Sequence, residues 1–271
     1  MQNQNTEQKY RADVAYIGTE YKGFQFQKNG DSVQAQLEKA FSTILRHPVI
    51  IRGASRTDSG VHAENQVVSF HTAVPYMSTD WRYSINAILP KDICVRNITV
   101  ASNSFHPIND SVGKIYRYRL WRGQCTFPHI RPFVWGIHRE IDLDCLLEQV
   151  SDFEGVHDFT SFCAIDSDAS TKVREVVEVR IEIRDPLVDI WITGRGFLKQ
   201  MVRIMVGTLV DIASGRKPKG SIPQMLEVKA RDAAGMTAPS QGLSLVKVLY
   251  DDIPTLESVI REASKGYCLN I

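Results

Sequence analysis

From Arg11 to Ile17 the apolar positions Ala12, Val14 and Tyr16 alternate with others, a period of two that predicts a first strand ended by Gly18. The period then changes. Val33, Leu37, Ala40, Phe41, Ile44 and Leu45 recur at helical spacing behind Asp31-Ser32-Val33-Gln34, which resembles a capping box, and the run stops where His47 meets Pro48. Val49 to Arg52 and Gln66 to Thr72 are predicted strands, joined by a polar, glycine-bounded loop. Thr79 or Asp80 caps a second helix carrying Trp81, Ile85, Ile88 and Leu89, which Pro90 closes, and Ile93 to Ala101 is apolar and β-branched enough for a strand. The order is β-α-β-β-α-β.

The second half repeats that order with longer insertions. Lys114 to Trp121 reads as a strand, and Leu143, Leu146, Leu147, Val150 and Phe153 mark a helix with Gly155 just past its end. Between Val173 and Ile183 every odd position except Glu175 is Val or Ile while most even positions are charged, which predicts a half-buried strand. Val188, Ile190 and Ile192 give the next strand. Arg195-Gly196 leads into an apolar helix from Phe197 to Ala213, closed by Ser214-Gly215, and Leu243 to Tyr250 supplies the last strand. Helices at Ile222 to Val228 and Pro254 to Ala263 decorate the frame. No sequence repeat relates the halves. Element order alone predicts an α+β chain of two ferredoxin-like halves, residues 10–110 and 111–271, with antiparallel sheets carrying helices on one face and a flexible tail at 1–9.

Composition narrows the setting. With 271 residues, 43% hydrophobic and 23% charged, the chain reads as an ordinary globular protein, and a net charge of +1 argues against nonspecific coating of nucleic acid. Any RNA contact must come from local patches. Cys94, Cys125, Cys145, Cys163 and Cys268 form an odd set without a C-x-x-C pair, which suggests neither a disulfide framework nor a zinc site. No apolar run approaches membrane-spanning length, since the run around Met201 to Ile212 is broken by Arg203, Gly207 and Asp211. The polar N-terminus lacks the features of a signal or transit peptide. The expectation is a cytoplasmic protein without membrane attachment.

Three places could carry chemistry. The first is Gly53-Ala54-Ser55-Arg56-Thr57-Asp58-Ser59-Gly60-Val61-His62-Ala63, where a carboxylate beside a fixed cation on a strand-held loop can act as a nucleophile or steady positive charge. A solvated turn of Asp, Ser and Gly is the plainer alternative. The second is the acid-free stretch between Asp110 and Glu140, with Lys114, Arg117, Arg119, Arg122, Arg131 and Arg139 beside Tyr116, Tyr118 and Trp121. It reads either as an RNA surface or as a strand with one solvated basic face and one aromatic core face. The third is Arg195, Lys199 and Arg203, four residues apart and so on one face as the predicted helix begins. Arg203 stands among apolar neighbours and needs a carboxylate, either a structural partner or Asp58. Histidine spacing suggests no metal, and no nucleotide-phosphate loop occurs.

Together with Tyr21-Lys22-Gly23-Phe24-Gln25, Ile85-Asn86-Ala87-Ile88-Leu89-Pro90, Phe105-His106, Lys114-Ile115-Tyr116-Arg117-Tyr118, Phe159-Thr160-Ser161-Phe162, Met201-Val202-Arg203 and Gly242-Leu243-Ser244-Leu245, the loop from Gly53 to Ala63 resembles the tRNA pseudouridine synthase A family, and the resemblance runs from about Tyr10 to Tyr250. The resemblance implies the two-lobed pseudouridine synthase fold and a homodimer that, without cofactor or metal, isomerises uridine to pseudouridine in the anticodon stem-loop of tRNA, at positions 38, 39 and 40. It makes Asp58 the catalytic aspartate, Tyr116 the active-site tyrosine and Arg203 the arginine paired with the aspartate. Arg56 resembles the residue that holds or replaces the flipped nucleotide, and Arg117, Arg119 and Lys199 join Arg56 and Tyr116 as expected substrate contacts. Tyr118 is left as a wall or core aromatic. Pro107-Ile108-Asn109-Asp110 departs from the family's usual Ala-Arg-Phe-Ser. A noncatalytic RNA-binding or chaperone relative and a carboxylate-dependent hydrolase are the rival readings. Asp58, Tyr116 and Arg203 argue against the first, and the absence of a second catalytic acid or metal site near Asp58 against the second.

Overall fold

Strict alternation builds β1 (Gln8–Tyr16), whose Tyr10, Ala12, Val14 and Tyr16 are buried while the residues between them are half-exposed. A computed structural model describes residues 7–28, 30–75 and 80–265. Thr79, Cys268 and residues 1–6 of the expected tail lie outside that range. The strand itself starts inside the stretch 1–9. Ser32 caps α1 (Val33–Leu45) by accepting from the Ala35 amide at 3.2 Å, and the helix buries Val33, Leu37, Ala40, Phe41 and Leu45. The expected strand from Val49 shrinks to β2 (Arg52–Gly53), because the Val49 and Ile51 amides donate to Ser42 Oγ (2.8 Å) and Glu38 Oε1 (3.0 Å) of α1 instead of to a strand. Then follow β3 (His62–Thr72), α2 (Asp80–Ile88) and β4 (Ile93–Val100).

Two compact units divide the chain: residues 1–111 with Leu245–Tyr250, and residues 112–244 with 251–271. In unit 1, β1 pairs antiparallel with both β3 and β4, and β2 pairs antiparallel with β3. Its core is aromatic. Phe70 of β3 stacks on Tyr10 at 5.4 Å and meets Phe41 of α1 edge-on at 4.8 Å, while Trp81 of α2 stands edge-on to Tyr10.

Unit 2 opens with β5 (Gly113–Trp121) and the two-residue β6 (Trp135–Gly136), which pairs parallel to it. The expected helix to Phe153 divides into α3 (Leu143–Gln149) and a 3₁₀ turn (Val150–Phe153), and an unexpected strand, β7 (Gly155–Asp158), follows. β8 (Val173–Arg184) and β9 (Leu187–Gly194) complete the order β5-β9-β8-β7, each neighbour antiparallel. The odd-position face predicted for β8 is interrupted. A bulge between Val176 and Glu178 shifts the register, so Val176 and Val179 are buried while Val173, Val177 and Ile183 are exposed. α4 (Met201–Ala213), buried almost all round, α5 (Ile222–Val228), β10 (Leu243–Leu249) and α6 (Leu256–Lys265) end the described chain. Among the described residues no helix is long and apolar enough to cross a membrane. The architecture is mixed α+β, with mostly antiparallel strand pairing.

Candidate active site

Between β2 and β3 the loop carrying Asp58 is tied down at almost every residue. The fully buried Gln66 clamps Ser55 from both sides, donating to its carbonyl at 2.7 Å and accepting from its amide at 3.1 Å. Tyr16 OH and Thr57 Oγ1 share a hydrogen bond of 2.7 Å, and Phe24 N donates to Thr57 O at 3.1 Å. Past the aspartate, Ser59 Oγ and Gly60 N both donate to Tyr21 O, and Gly18 N donates to His62 Nδ1. His62, given no role by the sequence, is thus a brace. Gly23 has φ +92, and a Cβ there would lie 2.7 Å from Thr57 O, so only glycine lets the neighbouring chain come this close. Tyr21 is anchored in turn. Its hydroxyl donates to Asp92 Oδ1 at 2.6 Å, and burial, then the Asp92 carboxylate, pushes the phenol's pKa upward. The backbone flanking Asp58 is therefore fixed, its side chain is half-buried, and Arg56 is exposed. The loop thus sets a carboxylate on a held stretch of backbone with a cation reaching solvent two residues before it.

The remaining expected site residues belong to unit 2. Tyr116 is 7% exposed, and its ring meets Phe197 edge-on at 5.0 Å. On the same face of β5, Lys114 is half-buried, and burial, with the Arg174 charge adding to it, lowers its ammonium to about 8. Arg203 of α4 is half-buried, and its Nε donates to Ala238 O at 2.8 Å.

Arg195, Lys199 and Arg203 do not share a helical face. Gln200 sits in the left-handed region at φ 61, so α4 begins only at Met201. Arg195 and Lys199 lie before it, paired with Glu175 (2.9 Å) and Asp166 (2.7 Å). The basic stretch also needs correction, because β5 has no solvated basic face. Arg119 is buried and its Nε lies 3.2 Å from Asp189 Oδ1, directly across the ladder on β9, while Arg184 Nη2 approaches Asp189 Oδ2 at 2.6 Å. Arg117, buried too, lies over the ring of its cross-strand neighbour Trp191 at 5.1 Å. As contacts for RNA phosphates, Arg117 and Arg119 are badly placed. The atypical Pro107-Ile108-Asn109-Asp110 forms a turn in which His106 Nδ1 accepts from the Ile108 and Asn109 amides, and Asp110 Oδ2 accepts from the His106 amide. Among the described residues no cluster of three or more His, Cys, Asp or Glu could hold a metal ion.

The family model described as tRNA pseudouridine synthase matches residues 12–107 and 150–251, which include Asp58 and Arg203. A tRNA pseudouridine synthase A of Staphylococcus aureus strain RF122 is 38% identical over 240 residues, covering 89% of this chain and 90% of its own. The enzyme of the same name from Staphylococcus saprophyticus is 35% identical over 240 residues, covering 87% and 88%. Among solved structures, the archaeal box H/ACA sRNP Nop10-Cbf5 complex aligns over 86% of this chain and 46% of that one at 14% identity and a TM-score of 0.35, too slight a likeness to carry an argument. With a family match over more than half its length and relatives this similar across nearly all of it, the chain belongs to the tRNA pseudouridine synthase family, whose members are isomerases.

Proposed function

We propose that this enzyme converts uridine to pseudouridine in the anticodon stem-loop of tRNA, at positions 38, 39 and 40, with Asp58 as nucleophile. The observation that carries the reading is the braced loop, which holds the backbone on both sides of a half-buried Asp58 and leaves Arg56 exposed two residues earlier. In the reaction the N1 to C1′ bond breaks, the uracil turns, C5 joins C1′, C5 gives up its proton and N1 gains one, so no cofactor is required. Asp58 carries the glycosidic step, Tyr116 takes the C5 proton, Arg203 pairs with the aspartate, and Arg56 holds the extruded nucleotide or fills its place. We further read both halves as ferredoxin-like, supported in unit 1 by the antiparallel pairing of β1 with both β3 and β4 and of the short β2 with β3, and the working form as a cytoplasmic homodimer. Purified Asp58→Asn tests the assignment. It is expected to bind tRNA nearly as the wild type does and to form no pseudouridine. Measurable product from that variant would remove Asp58 from the reaction.

A further inference from the structure

Residues Arg231 to Gly242 lie against α4 as a strap. Gly235 N donates to Thr208 Oγ1 at 2.8 Å, Met236 N to Asp211 Oδ2 at 3.0 Å, and Arg231 secures both the Gly235 carbonyl and Thr237 Oγ1. The approach is close: a Cβ on Gly207 would fall 1.8 Å from Met236 O. At its far end the strap meets Arg203 twice, for Ala238 N donates to Arg203 O at 3.0 Å while Arg203 Nε donates to Ala238 O at 2.8 Å. The next carbonyl is held from the sheet. Tyr118 OH donates to Pro239 O at 2.7 Å, and Gly242, where a Cβ would fall 2.6 Å from the Tyr118 ring, lets the strap close over that fully buried side chain.

We propose that Tyr118 is a positioning residue for the isomerisation, fixing through Pro239 and Ala238 the direction in which Arg203 presents its guanidinium. The inference rests on the reading that Arg203 serves the reacting aspartate. A guanidinium is planar, so anchoring Nε to a carbonyl that cannot shift sets the plane and aims the two terminal nitrogens. Without the hydroxyl, Pro239 loses its tie to β5 and the neighbouring Ala238 carbonyl can drift. Tyr116 and Tyr118 point the same way along the strand, yet their surroundings differ: Tyr116 lies against Phe197, whereas Tyr118 ends on a backbone carbonyl. Burial raises the Tyr118 phenol's pKa well above 10 against the opposing pull of the Arg203 charge, which keeps it a donor at any working pH.

The test is a cycle of wild type, Tyr118→Phe, Arg203→Lys and the double variant, read as single-turnover rates with saturating enzyme and tRNA labelled with tritium at uridine C5, alongside tRNA affinity. Tyr118→Phe is expected to slow turnover about tenfold with affinity held within about twofold, and to change the rate less than about twofold when Arg203 is already Lys. A wild-type rate for Tyr118→Phe overturns the proposal. So does an equal loss in both backgrounds, which would mean that Tyr118 acts independently of Arg203, and so does a fall in affinity that parallels the fall in rate, which marks general loosening. Full activity in Arg203→Lys and also in Arg203→Ala would instead remove the underlying role of Arg203, a failure visible in those variants alone.

Discussion

Replacing Tyr116 by Phe removes one oxygen and keeps the ring against Phe197. If that oxygen takes the C5 proton, turnover should fall about a hundredfold or more while tRNA affinity stays nearly unchanged, as measured by tritium release from C5-labelled uridine under single-turnover conditions. Arg119 makes the opposite case. Asp189 has no solvent exposure and contacts the guanidiniums of Arg119 and Arg184, so Arg119→Ala takes away one of its two cations inside the sheet. The loss expected is about 3 kcal/mol of stability in denaturant unfolding, with the dependence of tRNA affinity on salt left as it was. A flattened salt dependence would return Arg119 to the RNA surface.

β5 collects both kinds of residue, one on each face, and its N-terminal end carries a pH signature. Lys114 is held at about 8, below its ordinary 10.5, by burial and then by Arg174. A lysine depressed in the folded state leaves the unfolded chain binding more protons between those two values, so its contribution makes stability rise with pH across that window. Lys114→Met should therefore be more stable than wild type in urea at pH 7, and the advantage should fade between about pH 8 and 10.5. In α4, Gly207→Ala forces a methyl group into the Met236 carbonyl, and about 2–3 kcal/mol should be lost in the same assay. Elements whose information is local were legible before the structure. Ser32 with Leu37 and Phe41 defines α1, and Ala12 with Val14 defines β1. Misreadings arose where a single backbone irregularity decides. The apolar Phe197 and Leu198 extend a helical pattern that Gln200 breaks by its left-handed backbone, and the bulge at Val176 shifts a face that parity alone assigns. In the candidate site, the loop that carries Asp58 was readable as a polar, glycine-bounded link into β3. Asp189, seventy positions from Arg119, and Pro239, beyond a hundred from Tyr118, left no sign in spacing.

Across the whole chain a formal charge of only +1 means that tRNA must be held by local cations, and Arg56 is an exposed candidate. The logarithm of affinity should still fall linearly with the logarithm of salt, and Arg56→Ala should lower the slope by about one unit if that side chain meets a phosphate. Light scattering should find two chains per particle if the homodimer reading holds. The division of the chain into units bears on how the protein is made. Unit 1 comprises residues 1–111 and Leu245–Tyr250, where β10 lies beside β3, the Tyr250 ring packs on Phe105 with Arg11 over it, and Tyr250 OH donates to Pro107 O. A ribosome therefore finishes all of residues 112–244 before it releases the last strand of the unit it began with. Until then a nascent unit 1 exposes the flank of β3 that β10 will cover, an open edge of the kind that invites aggregation.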